Sequence, residues 1–188
     1  IKEIGVTSTQ THSYGSVGTY DVAVTATTGK IFFSGADDAL KLLDIKNWGT
    51  CQWTSMGSAF RGCTSLTSVT ATDAPNLSNI SNLSNMLWKC RLSNADFSNW
   101  DVSNITNTSR MFSNNGANGT LNLSNWDVSN VTNMFAMFYD CATLQITGID
   151  NWDTDSLVNI KEMFKSTSLL DISFANWNIN SITNATGF

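Results

Sequence analysis

The sequence predicts an α/β repeat solenoid, and two observations carry this prediction. The first is a tryptophan that returns at nearly constant spacing, at Trp48, Trp100, Trp126, Trp152 and Trp177. The intervals are 52, 26, 26 and 25 residues, and Pro75 stands near the middle of the double interval. The second is an apolar pattern that follows each of these six origins. A fixed period of this length is typical of folds in which small units stack to share one core.

Each copy is predicted to begin with a short strand. Three and five residues before the origin, apolar side chains alternate with polar ones, most clearly at Leu43 and Ile45, Leu121 and Leu123, and Ile172 and Phe174. Such alternation is typical of a strand with one buried face. The residues two and four before each origin are then expected to point outward.

A short helical turn is predicted in the second half of each copy. Apolar residues recur there at spacings of three and four, and they include pairs such as Met111 and Phe112. This spacing gives a helical turn one buried face. Asn or Ser precedes the turn in every copy, for example Asn107, and its side chain is suited to cap the first backbone N–H groups.

The chain is expected to divide into three parts. Residues 1–18, rich in Gly, Ser and Thr, are interpreted as a linker or the end of an upstream domain. Residues 19–39 contain an alternating segment around Val22 and a turn at Gly29, which predict a β-hairpin that caps the solenoid. Residues 40–188 hold the solenoid, about five and a half repeats. Because the sequence does not begin with Met, we expect a processed product or part of a longer chain.

Composition argues against several classes of function. Charged residues make up 13% of the chain and its net charge is −5. Phosphate binding needs a basic surface, so we expect no nucleic-acid partner. No apolar run approaches the roughly 20 residues of a membrane span, so we expect no membrane insertion.

Catalysis needs a singular convergence of groups, whereas a repeat spreads them evenly and His12 is the one histidine. We therefore expect no enzyme and no catalytic or cofactor-binding residues.

The repeats resemble those of a known family. The segments 121–134 and 137–141 are similar to the BspA-like leucine-rich repeat surface proteins, and 100–112 and 152–164 carry the same pattern. The resemblance covers about residues 40–188. It implies a leucine-rich-repeat-like solenoid, with short parallel strands on one face and helical turns and loops opposite. It also implies an extracellular place on a cell or virion surface, a role in adhesion, and a structural rather than catalytic motif.

Asp101, Asp127 and Asp153 directly follow Trp in three consecutive copies, and this row admits two interpretations. Carboxylates on neighbouring copies could hold Ca²⁺, which takes about six to eight oxygen ligands. Alternatively, each Asp accepts hydrogen bonds from the backbone of the turn that it begins. Copies with Gly49 or Asn76 at this position still fit the repeat. We therefore favour the turn and expect no metal and no cofactor.

Three cysteines occupy one position of the repeat, fifteen residues after the origin. They are Cys63, Cys90 and Cys141. We favour buried free thiols for these positions, and a Cys63–Cys90 disulfide is the alternative, because the two residues lie in adjacent copies. The sequence has no Cys-x-x-Cys pair, so a zinc site is not expected.

The outward positions of the predicted strands form the candidate ligand face. Its residues are Asp44, Asp73, Asp96, Ser98, Asn122, Ser124, Asp150 and Ser173. Solenoids commonly bind partners on such extended strips, and an ordinary solvated face is the alternative. Trp53, Trp88 and Tyr139 are the aromatic residues that the repeat requires least.

Two functions remain open at this point. The first is a non-catalytic extracellular recognition or adhesion module that binds a protein or glycan on a cell surface, of the bacterial-surface or phage receptor-binding type. The second is a structural unit of a fibre, virion appendage or surface layer that polymerises through its repeat ends. The chain stops within a repeat at Phe188, so self-association through that open end is expected for the second function.

Overall fold

The computed structural model describes residues 2–5, 15–33, 37–168 and 172–188. Within these ranges the regular elements are short strands and one 3-10 helix, Asp37–Lys41. The strands are β1 (Lys2–Gly5), β2 (Val22–Thr25), β3 (Thr28–Lys30), β4 (Asp44–Ile45), β5 (Gln52–Ser55), β6 (Ser68–Val69), β7 (Ala95–Asp96), β8 (Gly119–Asn122) and β9 (Leu144–Thr147). Most of the predicted linker and His12 lie outside the described residues.

The strands pair in parallel in four separate sheets. β1 pairs with β2, β3 with β5, and β4 with β6, and β7, β8 and β9 form one three-stranded sheet. The predicted leucine-rich-repeat-like α/β solenoid is wrong, because coil dominates and these short sheets do not continue into one repeat stack. The predicted N-terminal β-hairpin is also wrong. β2 and β3 follow each other in the chain, but each forms parallel pairs with another strand.

Near the end of the β4–β6 sheet, carboxylate side chains accept hydrogen bonds from backbone N–H groups. Asp44, in β4, accepts hydrogen bonds from the backbone N–H of Thr70 at 3.0 Å and from its hydroxyl at 2.6 Å. Asp73 accepts hydrogen bonds from the backbone N–H groups of Trp48, at 3.0 Å, and Gly49, at 2.8 Å. These contacts lie beside the two residue pairs of the sheet, where the backbone N–H of Ala71 also donates to the Ile45 carbonyl at 3.0 Å.

Tight turns replace the predicted helical turns, and the described residues contain no α-helix. Arg110 and Asn114 have left-handed backbones, with φ of 55° and 60°. The equivalent residues of the next two copies are Ala136, Asp140, Glu162 and Ser166. A right-handed helix excludes this conformation, which costs a non-glycine residue roughly 1–2 kcal/mol. Asn107 accordingly opens a turn, because its side chain accepts the N–H of Ser109 at 2.9 Å. No helix in the described ranges has the length and apolar character needed to cross a membrane.

Alternate backbone N–H groups in these turns bind the following copy. The N–H of Arg110 donates to the carbonyl of Phe135 at 2.8 Å, and that of Phe112 donates to Met137 at 3.0 Å. The intervening N–H of Met111 instead donates locally, to the carbonyl of Thr108 at 3.1 Å. Equivalent turns of consecutive copies are therefore aligned side by side, although they are not strands of a sheet.

Within the core, aromatic and methionine side chains recur at the same repeat positions, together with Leu, Ile and Val. The ring centroids of Trp126 and Trp152 are 6.3 Å apart with an interplanar angle of 8°, and those of Phe112 and Phe138 are 5.8 Å apart with an angle of 2°. All four side chains are buried. Stacked rings of this kind stabilise the core beyond their burial alone. Successive copies are thus tied together through side chains as well as backbone.

Candidate functional site

The centre of the predicted ligand face does form one cluster. Asp96 and Asn122 are opposite each other in β7 and β8, and the Asn122 amide donates to the Asp96 carboxylate at 3.0 Å. Asp96 also accepts the N–H of Ser98 at 2.9 Å, and Asn122 accepts the N–H and hydroxyl of Ser124 at 3.2 and 2.5 Å. Hydrogen bonds from Ser98, partly offset by burial, lower the pKa of Asp96. These polar groups are therefore already occupied within the chain.

The other four predicted face residues also bind local backbone. Asp44 and Asp73 hold the β4 region through the contacts described above. Asp150 accepts the N–H of Ser173 at 2.8 Å, and the Ser173 hydroxyl accepts the N–H of Ala175 at 3.3 Å. Burial would raise the pKa of Asp44, but hydrogen bonds from Thr70 outweigh it and lower the value.

The row of Asp101, Asp127 and Asp153 shapes turns. Ser103 and Ser129 each donate their N–H to the preceding Asp carboxylate at 3.1 Å, and their hydroxyls donate to the same oxygens. Hydrogen bonds from Ser103 hold the pKa of Asp101 below its usual value. Among the described residues, no group of three or more His, Cys, Asp and Glu side chains is arranged to hold a metal ion.

The four cysteines of the described chain are buried free thiols, so the structure contains no Cys63–Cys90 disulfide. Burial raises the pKa of Cys63 and of Cys141 to about 12, and it raises the pKa of Cys90 as well. The thiols of Cys90 and Cys141 donate to the carbonyls of Phe60 and Phe112, at 3.4 and 3.1 Å. Protonated, buried thiols are poor nucleophiles, so these residues have a packing role.

An open groove of about 440 Å³ crosses the turns of five consecutive copies. Its lining includes the residue thirteen after each origin, namely Arg61, Trp88, Ser113, Tyr139 and Lys165. Backbone hydrogen bonds align these positions, because the residue after each of the first four members donates its N–H to the carbonyl of the next member. For example, Gly62 donates to Trp88 at 2.8 Å. We call this surface the turn groove.

Cations lie over aromatic rings in and beside the turn groove. The Arg61 guanidinium carbon is 4.7 Å from the Trp88 ring centroid, and the Lys89 ammonium is 4.4 Å from the same ring. The Arg110 guanidinium carbon lies 4.4 Å from the Phe135 ring, which adjoins the groove. Such contacts are worth about 0.5–1 kcal/mol at exposed sites, enough to bias where a long side chain rests.

The turn groove is positive although the whole chain is negative. Arg61, Arg110 and Lys165 line it, against one lining carboxylate, Glu162. Glu162 pairs with Lys165 at 3.3 Å. In the part of the chain that the structure describes, neither Arg61 nor Arg110 has a carboxylate partner. Two guanidinium groups therefore present their N–H donors to solvent.

The predicted ligand face does not include the residues of the turn groove. A signal for the groove was nevertheless present, because the position thirteen after the origin changes from Arg to Trp, Ser, Tyr and Lys while the two positions before it stay apolar. Trp88 and Tyr139 were recognised as aromatic residues that the repeat does not require. What was missing was the alignment of these turns across copies.

One family comparison identifies the chain. The family described as "Mycoplasma protein of unknown function, DUF285" matches residues 27–144 and 114–188. These matches together cover residues 27–188 of the 188-residue chain. The chain belongs to the DUF285 family. No curated protein and no solved structure matches it.

The DUF285 match includes every copy that contributes to the turn groove. The family description names no activity. Any function for this DUF285 chain must therefore be argued from its surface chemistry, and the turn groove is where unpaired cations and aromatic rings come together.

Proposed function

We propose that this chain is a non-catalytic recognition module that binds a protein or glycan on a surface. The observation that carries the proposal is the turn groove, in which Arg61 and Arg110 lie over aromatic rings without carboxylate partners. Arginine and aromatic side chains are the residues most enriched where proteins bind partners tightly. A groove that spans five copies also suits an extended ligand.

An extracellular location on a cell or virion surface is part of the proposal. It is supported by the resemblance of the repeats to BspA-like surface proteins, in which adhesion is the inferred role. The DUF285 match over residues 27–188 is compatible with that resemblance. A ligand on the opposing surface would then reach the exposed guanidinium groups directly.

The chemistry of the described side chains supports binding rather than catalysis. The thiols are buried, and burial raises the pKa values of Cys63 and Cys141 to about 12. The groove carboxylate, Glu162, is held by Lys165. General acid–base and nucleophilic catalysis both need a reactive group free to meet the substrate, and the groove offers cations instead.

A binding screen tests the proposal. The labelled chain would be applied to arrays of immobilised extracellular proteins and glycans, with the thermally unfolded chain as the control. We expect saturable binding to at least one probe by the folded chain and none by the unfolded control. If the folded chain bound no probe above that control, the proposed function would be refuted.

A further inference from the structure

We propose that the turn groove binds a linear acidic glycan, whose carboxylate or sulfate groups are taken by Arg61 and Arg110. The inference rests on the proposed recognition function and specifies its ligand class. It is carried by three features of the groove, which are the free edges of its guanidinium groups, the number of its cations, and the amide side chains beside them.

The aromatic contacts leave the arginine donors available. Arg61 lies 4.7 Å from the Trp88 ring and Arg110 lies 4.4 Å from the Phe135 ring. A guanidinium carries its five N–H donors in its plane, in a fork that matches carboxylate and sulfate oxygens. The ring contact limits the motion of the long side chain without using those donors. Binding an anion therefore costs less conformational entropy than it would with a free arginine.

Several cations come together along the groove. Arg61, Arg110 and Lys165 line it, and Lys89 lies beside the Trp88 ring. Arg110 and Lys165 both lie over rings of the fourth copy, 4.4 Å from the Phe135 centroid and 5.7 Å from the Tyr139 centroid. An extended polymer with several acid groups can reach more than one of these cations, whereas a single small anion would use only one.

Amide side chains beside the cations suit sugar hydroxyl groups. Asn85 and Asn114 line the groove and are half-buried, whereas Ser113 is buried. An amide both donates and accepts hydrogen bonds, as a sugar hydroxyl does. The Asn114 amide donates to the Ser113 hydroxyl at 3.1 Å, and this bond orients the Asn114 side chain. A ligand with both acid and hydroxyl groups would thus find a partner for each.

Two other polyanions fit less well. An acidic peptide can also pair with arginine side chains, but it cannot gain further affinity by strand addition here, because alternate N–H groups of these turns already donate to the next copy. Duplex DNA carries one charge per roughly 1.7 Å, and a chain with a net charge of −5 repels so dense a polyanion. Acid groups spaced along a glycan concentrate attraction at the cations and reduce repulsion elsewhere.

The test measures binding of the full chain to four immobilised polymers. They are heparin, which is sulfated, hyaluronan, which carries carboxylates, neutral dextran, and poly-L-glutamate. We expect binding to heparin or hyaluronan, none to dextran, and a loss of affinity as salt rises and screens the charges. Comparing heparin with hyaluronan distinguishes sulfate from carboxylate as the recognised group.

Matched variants locate the site. Arg61→Gln with Arg110→Gln is expected to weaken glycan binding at least about tenfold, because each removes a charged hydrogen-bonding group. Arg91→Gln is the control, since Arg91 is exposed and lies outside the groove lining. It should change affinity by less than about twofold. Circular dichroism of each variant checks that the chain is folded.

The possible outcomes separate the two proposals. Equal or tighter binding to poly-L-glutamate, or glycan binding that the groove variant leaves unchanged, would overturn the acidic-glycan inference. If the chain bound an array protein but neither acidic glycan, the inference would fail while the recognition function stood. Failure to bind any probe would overturn both.

Discussion

Removal of the Trp126 side chain should be the most damaging single truncation of the repeat core. The side chain is 4% exposed, and its ring contacts those of Trp152 and Phe112 with centroids at 6.3 and 6.1 Å. Truncating a buried aromatic to Ala costs about 3–5 kcal/mol. The indole N–H also donates to the Phe97 carbonyl at 2.8 Å, and losing that bond adds about 1 kcal/mol.

The expected total is therefore about 4–6 kcal/mol for Trp126→Ala. The hydrogen-bond part stays small because the Phe97 carbonyl keeps a second donor, the N–H of Trp100 at 3.0 Å. In a chain of this size, each kcal/mol lowers the melting temperature by roughly 2–4 °C. Urea unfolding followed by circular dichroism would measure the free energy directly.

A pair of conservative variants separates ring packing from hydrogen bonding. Trp126→Phe removes an indole N–H that has a partner, whereas the Trp152 indole N–H is buried without one. Trp126→Phe should therefore cost about 1 kcal/mol more than Trp152→Phe. The reasoning would be refuted if Trp126→Ala lowered the free energy of unfolding by less than about 1 kcal/mol.

Three further predictions concern backbone, carboxylates and thiols. A Cβ at Gly148 would lie 2.2 Å from the Ser124 Cα, whereas a Cβ at Gly49, which has a similar positive φ, would meet open space. Gly148→Ala should therefore lower the melting temperature of the chain more than Gly49→Ala does. Asp127→Ala should cost about 0.5–1.5 kcal/mol and Asp127→Asn much less, because the amide oxygen can still accept the Ser129 N–H. If Asp127 only shapes a turn, neither Ca²⁺ nor a chelator should shift the wild-type melting temperature. Burial raises the pKa of Cys141 to about 12, so the unfolded state loses its thiol proton first and stability should fall as pH rises above about 9. Cys141→Ala should flatten that fall in a pH series of unfolding curves, and an unchanged slope would contradict the assignment.

The sequence predicts the core more reliably than the backbone. Side chains at the repeated positions, such as Phe112 and Met137, are buried because their burial depends only on periodicity and size. The prediction of helical turns was wrong for a local reason. Arg110 and Asn114 adopt left-handed backbone conformations, which the spacing of apolar residues does not reveal. A spacing of three and four is shared by a helix and by consecutive tight turns.

The extent of the sheets could not be predicted from the alternation of apolar and polar residues. The alternation around Leu121 does correspond to β8, which pairs with both neighbours. At β4, however, Asp44 binds Thr70 and the pairing stops after two residues. Whether a carboxylate faces solvent or a backbone N–H depends on the register of two distant segments, and one sequence does not contain that information directly.

The predicted ligand face and the turn groove depend on different residues. Outward polar residues of the predicted strands, such as Asp96 and Asn122, satisfy each other and the local backbone. The turn groove instead depends on residues of five copies coming together. The constant part of the repeat says nothing about them, so the groove could not be predicted from the repeat alone.

The most direct test of the account compares the two faces in one binding experiment. The groove variant carries Arg61→Gln with Arg110→Gln. The strip variant changes two residues of the predicted ligand face, Asp96→Asn with Asp150→Asn. Each variant removes two charges, and the Asn side chains keep oxygen acceptors for the local hydrogen bonds. Each would be titrated against the immobilised probe that the wild-type chain binds most tightly. The account predicts at least about tenfold weaker binding for the groove variant and less than about a twofold change for the strip variant. The opposite pattern would place recognition on the strip and contradict the central claim.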